Sequence, residues 1–377
     1  MDPIVIIGSG LAGWTIAREL RKLDKSIPMT LITADAGDFY SKPMLSNALA
    51  SGKLPMQLIN TPADTMARQL DVSLLSNTQA MAIDATAHRI DSSAGPHGYA
   101  KLVLALGADP IRLPLEGDAA DAVMSVNDLW DYARFRKAIE GRKHIALIGA
   151  GLIGCEFAND LAGAGFRVSV IDPTGYPLSS LLPERAGRRM IEPLQKAGVA
   201  WHFGEAVSAA NRADRGYRLN LKGGAVIEAD AVLSAVGLRP RTALAKAAGL
   251  AANRGIVADA QLRTSDPDVF ALGDCAEICG RVLPYVLPIM HAARALAQTL
   301  AASPTGVRFP PMPVVVKTPD CPVVVQPVPR DAAGAWQIEE DNKGLKATFS
   351  DSQGHLLGFA LTEARIDERM ALTKLLA

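Results

Sequence analysis

The sequence places Gly8, Gly10 and Gly13 in the stretch IVIIGSGLAG, and it repeats that spacing at Gly149, Gly151 and Gly154 in IALIGAGLIG. Each triplet follows a short apolar run rich in β-branched residues and precedes a stretch with helical spacing. Glycines so placed let the chain turn tightly. They also bring backbone N–H groups and a helix N-terminus against a pyrophosphate. A larger side chain at Gly10 would occupy the ligand's space. One such match in a glycine-rich chain carries little weight, but two in strand–turn–helix context point to two dinucleotide sites. Their joint chemistry is hydride transfer from one dinucleotide to the other.

The two sites differ in their acids. After the second triplet the strand FRVSVID ends at Asp172, placed to accept hydrogen bonds from both hydroxyls of an adenosine ribose. It would repel a 2′-phosphate, and no arginine lies directly after it, which favours NAD over NADP. The bland alternative is a solvated strand end. In the first site the strand MTLITAD reaches Thr33 where an acid is expected, and Asp35 follows two residues later. Either Asp35 holds the ribose from a shifted position, or the backbone does.

GDCAEICG sets Cys275 and Cys279 four residues apart. One helical turn would bring such a pair within bridging range, although Gly280 weighs against a continuous helix. The histidines are scattered, and the cysteines lack iron–sulfur or zinc spacing, so no metal site is expected.

Four further segments carry a family resemblance: KLVLALGADP, ADAVLSAVGLRPRTAL, TSDPDVFALGDCAE and the helix after YVLPIMHAARALAQTL. The chain resembles pyridine-nucleotide-dependent flavoprotein reductases. FYSKPMLSNALASGK and MPVVVKTPDCPVVVQP further resemble segments of the rubredoxin–NAD reductases, which carry electrons from NADH through FAD to rubredoxin. The resemblance implies FAD in the first site and NAD in the second. It gives Asp274 the FAD ribityl hydroxyls, with Gly273 allowing close approach, and puts Gly107 and Gly237 at turns flanking the NAD domain. It sets the helix start at Pro288 and Ile289 against the flavin ring, where reduction builds negative charge. It puts Lys42 near the reactive flavin nitrogen, paired with Glu156 of the NAD helix. Cys275 then becomes a neighbour of the flavin turn, with Cys279 beyond that motif, rather than half of an electron relay.

Rubredoxins are acidic, so Lys53, Arg308 and Lys317 become candidate steering charges. Ferredoxin or flavorubredoxin are the alternative acceptors. A flavin-dependent NADH oxidase or disulfide reductase fits less well, because neither WTIARELR nor SKPMLSNA contains a cysteine. A non-enzymatic flavin scaffold is disfavoured by two intact nucleotide sites.

The elements that must position these residues form an α/β protein. It has two Rossmann-like dinucleotide-binding domains, for FAD and NAD, and a small α+β C-terminal domain. The expected boundaries are 1–113 for the first FAD segment, 114–236 for NAD, 237–308 for the second FAD segment and 309–377 for the terminal domain. Asn127 is the expected cap of the helix in VNDLWDYARFRK, and RGYRLNLKGGAVIEAD reads as a hairpin turned at its glycines. With 39 basic against 39 acidic residues there is no global field, and nucleic acid is not an expected partner. The N-terminus has no basic leader and no apolar run reaches the ~18 residues of a membrane span. A cytoplasmic monomer is expected.

Overall fold

The computed structural model describes residues 2–376. The chain forms two compact units, one comprising Met1–Lys42, Met56–Asp109 and Leu238–Pro310, the other Pro43–Pro55, Pro110–Gly237 and Pro311–Ala377.

The first unit is built on a parallel sheet in the order Val269–Ala271, Lys101–Leu104, Ile4–Ile7, Met29–Ile32, Val72–Leu75. Its central strand is buried along its whole length, as continuous apolar strands covered on both faces must be. The helices Leu11–Leu23 and Val286–Leu300 pack against each other. Ala292, Ala293 and Ala297 are buried on the second of these helices. Trp14 is fully buried and donates its indole N–H to the carbonyl of Gly37 at 2.8 Å, fixing the turn after the second strand.

Cys275 ends a single 3-10 turn, and the strand Ala276–Ile278 separates it from Cys279. Extended chain rises about 3.3 Å per residue. That carries the pair beyond the ~7 Å Cα limit for a disulfide. Both cysteines are free thiols.

The second unit holds a parallel sheet ordered Val199–Phe203, Arg167–Asp172, His144–Ile148, Ala231–Ser234. An antiparallel sheet of Val207–Arg212, Tyr217–Leu221 and Val226–Ala229 accompanies it, with Gly224 at φ 89° in the expected hairpin turn. The helix Leu129–Ala138 begins one residue later than expected. Its cap is Asp128, whose Oδ1 accepts from the N–H of Asp131 at 2.8 Å, rather than Asn127.

The C-terminal sheet is antiparallel, ordered Val314–Val316, Val323–Gln326, Leu356–Thr362, Gly344–Ser350, Ala335–Asp341. Leu372 of the final helix Arg369–Leu375 packs on Val324, Phe359 and Leu361 of this sheet. Arg189 ties the sheet to the NAD-type fold by pairing with Glu340 at 3.1 Å and Glu363 at 2.6 Å. Among the described residues no helix is long and apolar enough to cross a membrane.

Residues 43–55 are the main difference from the expected division, which carried them within the first FAD segment. They belong to the second unit. The reason is a buried acid on the helix Leu152–Gly163: Asp160 accepts from the backbone N–H groups of Leu49 at 2.9 Å and Ala50 at 2.8 Å. Burial raises the pKa of this carboxyl, and the two N–H donors work against the rise. Replacing Asp160 with alanine strands the donors, a loss expected at about 1–2 kcal/mol. Asp160→Asn, which keeps an acceptor, should lose less. Urea unfolding measures both, and wild-type stability in Asp160→Ala would refute the assignment.

Candidate dinucleotide sites

Both glycine triplets fold into the same turn, and their geometry shows what each glycine does. Gly8 has φ 109°, and a Cβ there would lie 2.3 Å from the carbonyl oxygen of Ala105. A Cβ at Gly13 would lie 1.8 Å from the carbonyl oxygen of Gly8. In the second unit the corresponding distances are 2.7 Å from Gly149 to the Ala235 oxygen and 2.0 Å from Gly154 to the Gly149 oxygen. These four glycines let strand, loop and helix touch.

Gly10 and Gly151 differ from them, because a Cβ at either would meet no protein atom within 4 Å. Each is the N-cap of its helix, with no side-chain cap and no acid in the first turn. The helix N–H groups are therefore left for a ligand, and a pyrophosphate is the anion such an end accommodates. The residues present fit a dinucleotide at both positions.

The register explains the displaced acid. Ile7 pairs with Ile32, as Ile148 pairs with Ile171, so Thr33 occupies the position of Asp172. Asp35 reaches back to it. Its Oδ1 accepts from Ser9 Oγ at 2.9 Å, Thr33 Oγ1 at 2.7 Å and the Gly37 N–H at 2.9 Å. These bonds all fall on one oxygen, leaving Oδ2 of this exposed residue for a ribose hydroxyl. Ser9 was not singled out by sequence, and Thr33 stood out only as the residue in the place of an acid; an S or T after the first glycine and a T two residues before an acid were the available signals.

Asp172 is buried and already engaged. Oδ2 accepts from the Ala150 N–H at 2.6 Å, and Oδ1 from Thr174 N at 2.8 Å and Thr174 Oγ1 at 2.6 Å. A carboxylate has about four acceptor positions. Asp172 is thus a lock on the glycine loop as well as a candidate acceptor for the ribose.

In the first unit, Gly273 has φ 80° and its Cβ position lies 2.9 Å from Ala12 Cβ, so the turn carrying Asp274 sits on the first glycine helix. Burial raises the pKa of Asp274, and the ammonium of Lys42 opposes the rise. Gly107 has φ 73° and opens onto free space. Arg241, missed in the sequence, secures this turn with bonds to the Leu106 carbonyl at 3.1 Å and to Asp109 at 2.7 Å. Pro288 and Ile289 lie buried in the first turn of the helix Val286–Leu300, which has no acid there and no side-chain cap. Cys275 is buried and donates to the carbonyls of Leu104 and Leu272, each at 3.4 Å. Burial pushes its thiol up to about 11, so at neutral pH it is a packing group rather than a nucleophile.

In the second unit Glu156 is 1% exposed. Its carboxylate accepts from Ser46 Oγ at 2.5 Å and the Lys317 N–H at 3.0 Å, and it pairs with the Lys317 ammonium. Lys317 is therefore committed to a buried carboxylate and corrects the expectation of a free steering charge. Lys53 and Arg308 are exposed. Gly237, at φ 111°, accepts the Ile111 N–H where the NAD-type fold ends.

Residues 2–302 match the family model described as pyridine nucleotide-disulphide oxidoreductase. The chain belongs to that family. Residues 306–376 match a second model, the rubredoxin binding C-terminal domain. The family members most similar in sequence include rubredoxin-NAD(+) reductases. That of Alcanivorax borkumensis is 50% identical, covering 99% of this chain and 98% of the relative. That of Acinetobacter baylyi is 44% identical over 100% and 98%. A nitric oxide reductase FlRd-NAD(+) reductase of Aeromonas hydrophila is 39% identical over 95% and 92%. A solved ferredoxin reductase from Rhodopseudomonas palustris superposes with a TM-score of 0.89 at 25% identity, covering 98% of this chain and 93% of that one. The family name refers to a disulphide chemistry that Cys275 and Cys279, held apart by a strand, do not provide.

Two expectations follow. Gly10→Ala should fold but lose most of its flavin, and Gly151→Ala should fold, keep flavin and bind NADH more weakly, whereas Gly13→Ala should not fold. Flavin absorbance per chain, the NADH Michaelis constant and thermal unfolding separate these outcomes. Anaerobic reductive titration should consume two electrons per FAD; four would restore a dithiol role.

Proposed function

We propose that this chain carries electrons from NADH through FAD to rubredoxin. One observation carries the reading: two glycine helices with bare N-termini stand in one chain with a C-terminal segment matching a rubredoxin-binding domain. FAD, when bound, supplies the hydride-accepting and one-electron-donating chemistry. The protein supplies position and charge.

In the first unit, Gly8, Gly10 and Gly13 hold the FAD pyrophosphate at the start of the helix Leu11–Leu23, and Asp35 takes the adenosine ribose. Asp274 would receive the ribityl hydroxyls, and the turn at Pro288 and Ile289 would offer a partial positive charge to the flavin. In the second, Gly149, Gly151 and Gly154 hold the NAD pyrophosphate, and Asp172 meets its ribose. That carboxylate is buried beside the loop, which favours NADH over NADPH. With FAD and NADH bound, Lys42 would place its ammonium charge toward the flavin and Glu156 would help orient the nicotinamide side. No side chain need act as acid or base on a substrate carbon.

Ferredoxin and flavorubredoxin are the competing acceptors, the latter because several relatives carry the name nitric oxide reductase FlRd-NAD(+) reductase. The protein works as a monomer in the cytoplasm, without nucleic acid. Stopped-flow mixing of the NADH-reduced holoenzyme with purified rubredoxin and ferredoxin tests the acceptor: rubredoxin should be reduced faster, and preference for ferredoxin would overturn the reading. Lys42→Ala and Glu156→Ala should each slow flavin reduction by NADH about tenfold or more. Unchanged rates in both would remove them from the hydride step.

A further inference from the structure

The helix Leu152–Gly163 presents Glu156, Asn159 and Asp160 on one side, and all three polar side chains are buried. Helical spacing of i, i+3 and i+4 makes them a single stripe. Glu156 and Asp160 hold Ser46, Leu49 and Ala50. Glu156 and Asn159 hold the opening of the C-terminal segment. The Lys317 N–H and ammonium go to Glu156, Asn159 Nδ2 donates to Asp320 Oδ2 at 2.8 Å, and the Asp320 N–H donates to Asn159 Oδ1 at 3.2 Å. The nucleotide turn uses none of the bonds between Asn159 and Asp320.

These two bonds are reciprocal, which a chance surface contact rarely is. Asn159 is 4% exposed, so its amide was taken out of water to make them. They anchor the loop Lys317–Cys321 between two strands of the terminal sheet, Val314–Val316 and Val323–Gln326. Within that loop, Thr318 is buried and closes it by donating to the Cys321 carbonyl at 2.7 Å. The loop is thus closed on itself, and Asn159 bonds it to the NAD-type fold.

We propose that Asn159 and Asp320 are positioning residues for the acceptor. They hold the rubredoxin-binding segment in the pose that docks rubredoxin and take no part in oxidation of NADH. The inference rests on the rubredoxin reading above.

The swap of the two side chains supplies the test. Asn159→Asp sets a buried carboxylate against Asp320 and loses the amide donor. Asp320→Asn in the same chain restores complementarity, because the new aspartate accepts both the backbone N–H and the asparagine amide. In the FAD-loaded enzyme, calorimetric titration should show Asn159→Asp weakening rubredoxin binding about tenfold. The double variant Asn159→Asp/Asp320→Asn should return to within about threefold of wild type. Turnover of NADH with ferricyanide, a small acceptor that needs no docking surface, should stay within about twofold of wild type in every variant.

Should Asn159→Asp fail to fold, Asp320→Ala at its exposed position removes one bond without burying a charge, and it should weaken rubredoxin binding while sparing ferricyanide turnover. Unchanged rubredoxin affinity in Asn159→Asp or in Asp320→Ala overturns the proposal. So does failure of the swap to restore binding, or a parallel loss of ferricyanide turnover. If wild type itself neither binds nor reduces rubredoxin, the acceptor reading fails first and this inference with it.

Discussion

A helix can start directly above the end of a strand only where no Cβ stands between them. In both units that constraint falls on the first and third glycines, whose missing side chains would otherwise lie 1.8–2.7 Å from carbonyl oxygens. Everything else about the two nucleotide sites depends on this contact. It points the helix N–H groups out of the fold and frees the middle glycine of any protein neighbour. It also brings the following residue, Ser9 or Ala150, to the tip of the neighbouring strand, where the acids Asp35 and Asp172 receive it.

The acids then solve one problem in two ways. Asp172 lies in the strand register and spends both oxygens on backbone and threonine donors. Asp35 lies two residues beyond that register and concentrates its bonds on one oxygen. A negative charge beside a helix N-terminus is stabilised by the same dipole that attracts phosphate, so each acid must be held off the phosphate position. The bonds to Ser9, Thr33, Ala150 and Thr174 do that holding.

Much of this was legible in the sequence because it depends on local rules. Glycine spacing after an apolar strand gave both dinucleotide turns. The offset of Asp35 was visible as a two-residue gap between the expected position, held by Thr33, and the acid itself, but its rescue by Ser9 depends on two strands side by side, which spacing alone does not report. Glu156, Asn159 and Asp160 were harder to read. On a helix otherwise apolar they could have been solvated, and only the tertiary arrangement shows them buried against segments 110 to 161 residues away in the chain. Lys317 failed as a steering charge for the same reason. An exposed lysine and one sunk onto a carboxylate have identical sequence signatures.

The assignment of residues 43–55 to the unit that also contains the terminal domain has a bearing on chimeras. The sequence order suggests exchanging the last seventy residues alone to redirect the enzyme toward another carrier. The packing says otherwise. Residues 46–50 and 317–320 are bonded to one stripe of the same helix, so a terminal domain from a relative would have to be complementary to Glu156 and Asn159 of the host. A graft that keeps its rigidity has to move the short early loop, the three helix residues and the terminal domain together, as three distant pieces of chain forming one part.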